Sequence, residues 1–161
     1  KLHPEVQRIS LNDPRLWPAY RVAQDRGMAV LTHTGPFGGT DGSHCHPSMA
    51  ADVFRAFPNL QMILAHMGGR PFQKEALQVA SAFPKAYFDC CGLFRRREGG
   101  LSDEDLAGLF REFGVSRVLY GSDWASGDPG ADIQRLMELP LNDNEKRMIL
   151  RGNAEAFLGM S

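Results

Sequence analysis

The sequence predicts an α/β fold built on a parallel sheet with crossover helices, and two observations carry that expectation. Short, uniformly apolar runs recur at 28–33, 60–65, 86–91 and 117–120. Such runs, bounded by Gly, Pro and Asn, read as strands buried on both faces. A segment of helical periodicity lies between each pair, long enough for a right-handed crossover. Periodicity alone leaves open whether the sheet stays flat or curls into a barrel.

Taken in order, residues 1–3 have the character of a strand's last residues, which Pro4 ends. Asp13-Pro14 opens a helix, with Asp as N-cap and Pro at the first helical position. Leu16, Tyr20 and Ala23 keep its apolar stripe, and Gly27 closes it. The strand 28–33 leads into a glycine-rich loop that runs to His46. A helix over 47–57 is stopped by Pro58-Asn59, and the strand 60–65 follows. Residues 71–83 are helical, 86–91 strand and 92–100 loop. Ser102 then caps a helix that ends at Phe113-Gly114, with Asp105 at the capping-box position. The strand 117–120 precedes helices over 128–139 and 142–157, the second bent near Gly152-Asn153.

Composition bounds the function. The 161 residues are 43% hydrophobic and 23% charged with a net charge of −1, which fits one soluble domain and gives no support for nucleic acid as a partner. The basic run Arg95-Arg96-Arg97 is the exception in an otherwise mixed surface. No apolar run reaches the length of a membrane span and no signal peptide is present, so no membrane partner is expected. Three cysteines, two of them adjacent as Cys90-Cys91, cannot form an even disulfide framework and favour the reducing cytoplasm.

Three strands finish on groups that bind metals or move protons: His33, His66 and, just past the last strand, Asp123. A parallel sheet places all its C-terminal strand ends on one side, where α/β proteins keep their chemistry. Two imidazoles and a carboxylate suit a divalent transition metal, with Zn2+ first and Mn2+ as the alternative, whose bound water supplies hydroxide near neutral pH. On this pattern Asp123 ligates and also accepts the proton of the attacking water, while His66 either ligates or polarises a substrate carbonyl. The competing reading makes each histidine a hydrogen-bonded structural residue and Gly-Ser-Asp a turn.

The motifs His33-Thr34-Gly35, Leu64-Ala65-His66-Met67-Gly68-Gly69, Tyr120-Gly121-Ser122-Asp123-Trp124 and Gly152-Asn153-Ala154-Glu155-Ala156-Phe157-Leu158 occur in that order. Together they resemble the amidohydrolase-related TIM-barrel family of metal-dependent hydrolases and decarboxylases. Lys1-Leu2-His3-Pro4 is similar to the end of that family's fourth strand. The resemblance implies the C-terminal half, about strands 4–8, of a (β/α)8 barrel. It implies a fifth-strand metal ligand in His33, a sixth-strand ligand or acid/base in His66, and an eighth-strand ligand and general base in Asp123. It also implies a small carbonyl or carboxylate substrate, with hydrolysis and non-oxidative decarboxylation both open.

The family's first strand normally carries a His-x-His pair that completes the metal site, and this sequence contains no such strand. Eight strands with their helices take about 250 residues. The expectation is therefore a single partial barrel domain, a fragment of a longer polypeptide whose exposed strand edges can pair in a homo-oligomer. His44-Cys45-His46 has the missing spacing, but it lies in a glycine-rich loop before Pro47, where alternate side chains need not share a face. His46 either shapes the substrate pocket or starts the helix at Pro47, Trp124 either walls the pocket or packs in the core, and Arg95 either forks a substrate carboxylate or is solvated at the surface. Two other functions stay open: a catalytically inactive half-barrel that binds another chain, and a related metal-dependent phosphoester hydrolase.

Overall fold

The computed structural model describes residues 1–95 and 100–160, so Arg96 and Arg97 of the basic run lie outside the described residues. Strands β1 (Val30–His33), β2 (Met62–Ala65), β3 (Ala86–Asp89) and β4 (Val118–Leu119) form one sheet in the order β1-β2-β3-β4, with helices between successive strands. The expected parallel α/β architecture is present. The chain divides into two compact units, Lys1–Tyr87 and Phe88–Ser161, which are described in turn.

In the first unit, β1 and β2 pair in parallel with Val30 opposite Met62 and His33 opposite Ala65. The expected strand remnant at the N-terminus is a single parallel bridge between Leu2 and Thr32. The Leu2 N–H donates to the Leu31 carbonyl at 2.8 Å, and the His33 N–H donates to the Leu2 carbonyl at 3.0 Å. Pro4 then opens a one-turn helix, α1 (Pro4–Gln7), because a missing N–H is harmless at a helix start. Asp13 caps a 3-10 turn, Pro14–Leu16, that leads into α2 (Trp17–Asp25). β1 starts two residues later than periodicity indicates: Gly27 turns left-handed and the Met28 N–H donates back to the Ala23 carbonyl, so Met28 belongs to the helix exit.

Helices α3 (Ser48–Ala56) and α4 (Gln73–Ala82) complete this unit. Val53, Phe57, Leu60, Met62, Leu64 and Val79 are buried in its core. Each such side chain is worth about 1.5–3 kcal/mol when withdrawn from water.

The second unit begins with α5 (Asp103–Phe113). The Ser102 hydroxyl accepts from the Asp105 N–H at 3.0 Å and donates to the Asp105 carboxylate at 2.8 Å, so the carboxylate expected to close a capping box is engaged by the hydroxyl. β4 is two residues long, shorter than the expected 117–120. Residues Val115–Arg117 form a 3-10 turn, and the Tyr120 N–H donates to the Ile149 carbonyl, which removes both flanks from the ladder. β3 and β4 pair in parallel through Phe88–Val118 and Asp89–Leu119.

Helix α6 (Pro129–Glu138) is capped by Asp128. α7 (Asp143–Arg147) carries a full capping box between Asn142 and Glu145, and it runs through a π-helical segment, Met148–Gly152, into α8 (Asn153–Leu158). The bend expected near Gly152-Asn153 is this π turn.

Asn153 ties α8 to β4. Its buried amide donates to the Val115 carbonyl at 2.6 Å and the Val118 carbonyl at 2.7 Å. Truncation leaves these buried acceptors without their donor, so Asn153→Ala should destabilise the fold by about 2 kcal/mol in urea unfolding. A loss below about 0.5 kcal/mol would show that water replaces the amide.

Candidate functional site

The first unit builds its polar centre from the two strand ends. His33 closes β1 with its ring buried, and His66 follows β2 as the first residue of a 3-10 turn, His66–Gly68. Parallel register sets His33 level with Ala65, which brings His66 beside it. The His66 Nε2 and the His33 Nδ1 are 3.0 Å apart. On the far side of the His33 ring, Nε2 lies 3.1 Å from the Gly35 carbonyl oxygen. A carbonyl only accepts, so this contact places the proton of a neutral His33 on Nε2 and leaves Nδ1 bare toward His66.

Burial, then the neighbouring His66 and His3, lowers the His33 pKa to about 4. Its imidazole is therefore neutral at pH 7, as a metal ligand must be. Two nitrogens held about 2.1 Å from one ion sit about 3.0 Å apart at a right angle and about 3.4 Å apart at the tetrahedral angle, so the pair needs to open by only a few tenths of an ångström to share a divalent cation. A ligating histidine that donates its other N–H to a backbone carbonyl, as His33 does to Gly35, matches the usual support of such ligands.

The backbone is strained to achieve this. Among the described residues, left-handed φ outside glycine occurs at Arg8, His66, Met67 and Asp123. Such conformations cost about 1–3 kcal/mol each and concentrate at functional positions. Two of the four are sequence-proposed site residues. Thr34 stabilises the turn at His66: its hydroxyl donates to the Ala65 carbonyl at 2.5 Å and accepts from the Gly68 N–H at 3.1 Å. Gly35 packs so closely that an added Cβ would lie 2.9 Å from the Gly68 oxygen, and its φ of +96° disfavours any side chain.

His46 is near the same loop end but engaged elsewhere. Its Nδ1 pairs with the Ser48 hydroxyl at 2.7 Å, and its ring meets the edge of Phe72 with 4.4 Å between centroids. His44 lies 3.7 Å from the Glu5 carboxylate. The two members of the His-x-His spacing thus have different partners.

Sequence reasoning assigned no role to His3, whose ring stacks on His33 with 4.0 Å between centroids and whose buried Nδ1 has no hydrogen-bond partner. Its place as the last residue of a strand-like segment ended by Pro4 was the available signal. Phe37 covers both rings edge-on.

In the second unit, Asp123 lies beyond the C-terminal end of β4 in an exposed turn with φ of +55°. Its carbonyl accepts from the Ser126 N–H at 2.7 Å and the Gly127 N–H at 3.3 Å. Trp124 is 78% exposed, so it lies outside the core of this unit. The Arg95 guanidinium donates to the Ser126 carbonyl, which places the arginine against the Asp123 turn. Cys90 and Cys91 are buried thiols whose pKa values burial pushes well up, which fits packing and excludes a ready nucleophile.

The family model for amidohydrolases matches residues 1–160. The chain belongs to the amidohydrolase family. Among solved structures, an uncharacterized TIM-barrel protein from Bordetella bronchiseptica is 25% identical with a TM-score of 0.81, over 94% of this chain and 52% of that one. A dihydroxybenzoic acid decarboxylase from a Polaromonas species, solved with manganese and an inhibitor, is 16% identical with a TM-score of 0.69, over 94% and 55%. A putative 2-pyrone-4,6-dicarboxylic acid hydrolase from Pseudomonas putida is 20% identical with a TM-score of 0.69, over 94% and 59%. The fold is that of a partial TIM barrel, and the chain spans about half the length of these solved structures. Comparison with curated proteins gives no match. Among the described residues, no helix of this amidohydrolase is long and apolar enough to cross a membrane.

The depressed His33 pKa has a consequence for stability. The unfolded chain binds a proton at this residue below about 6.5, while the folded chain does so only below about 4. Stability of the metal-free chain should therefore fall as pH drops from 6.5 toward 4 and level off beneath it, with an NMR midpoint for His33 near 4. A midpoint near 6.5 would contradict the burial argument.

Proposed function

We propose that this amidohydrolase contributes His33 and His66 to a divalent metal centre that hydrolyses or non-oxidatively decarboxylates a small carbonyl or carboxylate substrate. The observation that carries the reading is the facing pair, His33 Nδ1 and His66 Nε2 at 3.0 Å, on adjacent parallel strand ends. Zn2+ is the proposed metal and Mn2+ the alternative. The decarboxylase and the putative hydrolase among the structural relatives support both reaction types and an aromatic or cyclic carboxylate as the substrate class. Because the chain spans about half of such proteins, the activity proposed is that of the whole polypeptide.

When bound, a divalent cation polarises a substrate oxygen and lowers the pKa of water. The chain's own residues do the rest. Neutral His33 offers Nδ1 as a ligand, with Nε2–H tied to Gly35. His66 presents Nε2 toward the same point, where it ligates or hydrogen-bonds the substrate oxygen as charge develops. Asp123 is proposed from its motif as a further ligand and as the general base. It takes the proton of attacking water in hydrolysis, or in decarboxylation relays a proton from solvent to the carbon as its bond to CO2 breaks. For substrate binding, His46 and Trp124 are proposed as pocket walls and Arg95 as the carboxylate fork.

Kinetics of the full-length polypeptide tests this. Asp123→Asn should lower turnover at least roughly 100-fold, as loss of a general base does. His33→Ala should lose both metal and turnover. His66→Asn is the informative third variant, since Asn tolerates the left-handed backbone there and removes only the imidazole. Activity that survives Asp123→Asn overturns the base, and metal content unchanged by His33→Ala overturns the ligand.

A further inference from the structure

The first unit contains a buried carboxylate that the metal-site reading does not use. Glu5 is 9% exposed on α1, away from bulk water. Its Oε1 accepts from the His44 N–H at 2.7 Å and lies 3.6 Å from the Cys45 sulfur. Burial works to raise its pKa, but hydrogen bonding, led by the His44 N–H and then Thr40, outweighs it, so the carboxyl is ionised and sits below its ordinary range. A buried anion persists only where such donors surround it.

Cys45 is fully buried, and its sulfur lies 3.1 Å from the Gly35 carbonyl oxygen. Burial, then the adjacent Glu5 charge, pushes the thiol up to about 12, so it keeps its proton and remains a donor. One S–H proton serves one acceptor at a time, and the shorter contact is the carbonyl. The Gly35 carbonyl therefore accepts from two sides: the Cys45 thiol and His33 Nε2. Glu5, the end of the glycine-rich loop, Gly35 and His33 form one continuous chain of contacts.

We propose that Glu5 and Cys45 are positioning residues. By pinning the end of the loop at His44 and Cys45, they hold the Gly35 carbonyl where it fixes the proton of His33 on Nε2 and aims Nδ1 at His66. The roles differ. Glu5 acts as the acceptor that anchors the loop, so its essential property is an oxygen at that place. Cys45 acts as a small buried donor, so a hydroxyl can replace it.

The proposal rests on the reading of His33 as a ligand for its consequence, but its spectroscopic test does not. In the 15N-labelled chain, His33 should show a slowly exchanging Nε2–H proton resonance. Glu5→Ala should abolish that resonance, and Glu5→Gln, which keeps a carbonyl oxygen for the His44 N–H, should restore it. Cys45→Val should weaken it, and Cys45→Ser should preserve it. Zn2+ affinity of the full-length polypeptide by competition titration should fall roughly 10–100-fold in Glu5→Ala and Cys45→Val, and should be near the parent's in the two conservative variants. A His33 resonance unchanged in a folded Glu5→Ala chain overturns the proposal. Should Glu5→Ala fail to fold, an unchanged resonance and affinity in Cys45→Val does so instead. If the resonance responds as described while the full-length polypeptide binds no Zn2+, the positioning role stands and the metal reading fails.

Discussion

The parallel register of β1 and β2 is the constraint on which the first unit's chemistry depends. Pairing His33 with Ala65 leaves His66 one step beyond the last rung, where the chain must leave the sheet. The chain does so through two left-handed residues, His66 and Met67, instead of continuing the strand. That turn swings the His66 imidazole across to His33. A slip of one residue would send His33 to the opposite face and dissolve the pair.

The turn is costly, and the sequence around it shows how the cost is met. Thr34 uses one hydroxyl to bond both the last carbonyl of β2 and the Gly68 N–H, so the loop after one strand braces the loop after the next. Gly35 and Gly68 pack backbone against backbone, a spacing that a Cβ at Gly35 would forbid. The motifs His33-Thr34-Gly35 and His66-Met67-Gly68-Gly69 are therefore one structural device read in two pieces. Each histidine brings chemistry, and the residues after it hold the neighbouring histidine's turn in place.

The buried polar groups follow from the same economy. A neutral imidazole, a protonated thiol and an ionised Glu5 inside the protein are each tolerable only with partners: the first two share the Gly35 carbonyl, and Glu5 accepts from the His44 N–H. Neutrality of His33 is imposed first by burial and then by the neighbouring His66 and His3. In the second unit, Asn153 does a comparable task with one amide, which satisfies two carbonyls around β4, the strand that leads to Asp123.

Much of this was legible in the sequence. Apolar runs broken by glycine and proline, with helical periods between them, determined a parallel α/β sheet, because strands buried on both faces have few alternatives. Ordered motifs at strand ends determined the family and singled out His33, His66 and Asp123. Strand lengths were overestimated where backbone N–H groups found acceptors outside the ladder: Met28 turns back to the nearby Ala23 carbonyl, and Tyr120 donates to Ile149, a distant acceptor that local composition does not record. Only the tertiary structure showed that His3 stacks on His33, that Glu5 holds the His44 N–H, and that Cys45 reaches the Gly35 carbonyl. These contacts join residues some 10 to 40 positions apart. A Glu after His-Pro or a Cys between two histidines has no periodicity that marks it as buried. Sequence specified which groups could do chemistry, and tertiary packing decided which lone pair each of them presents.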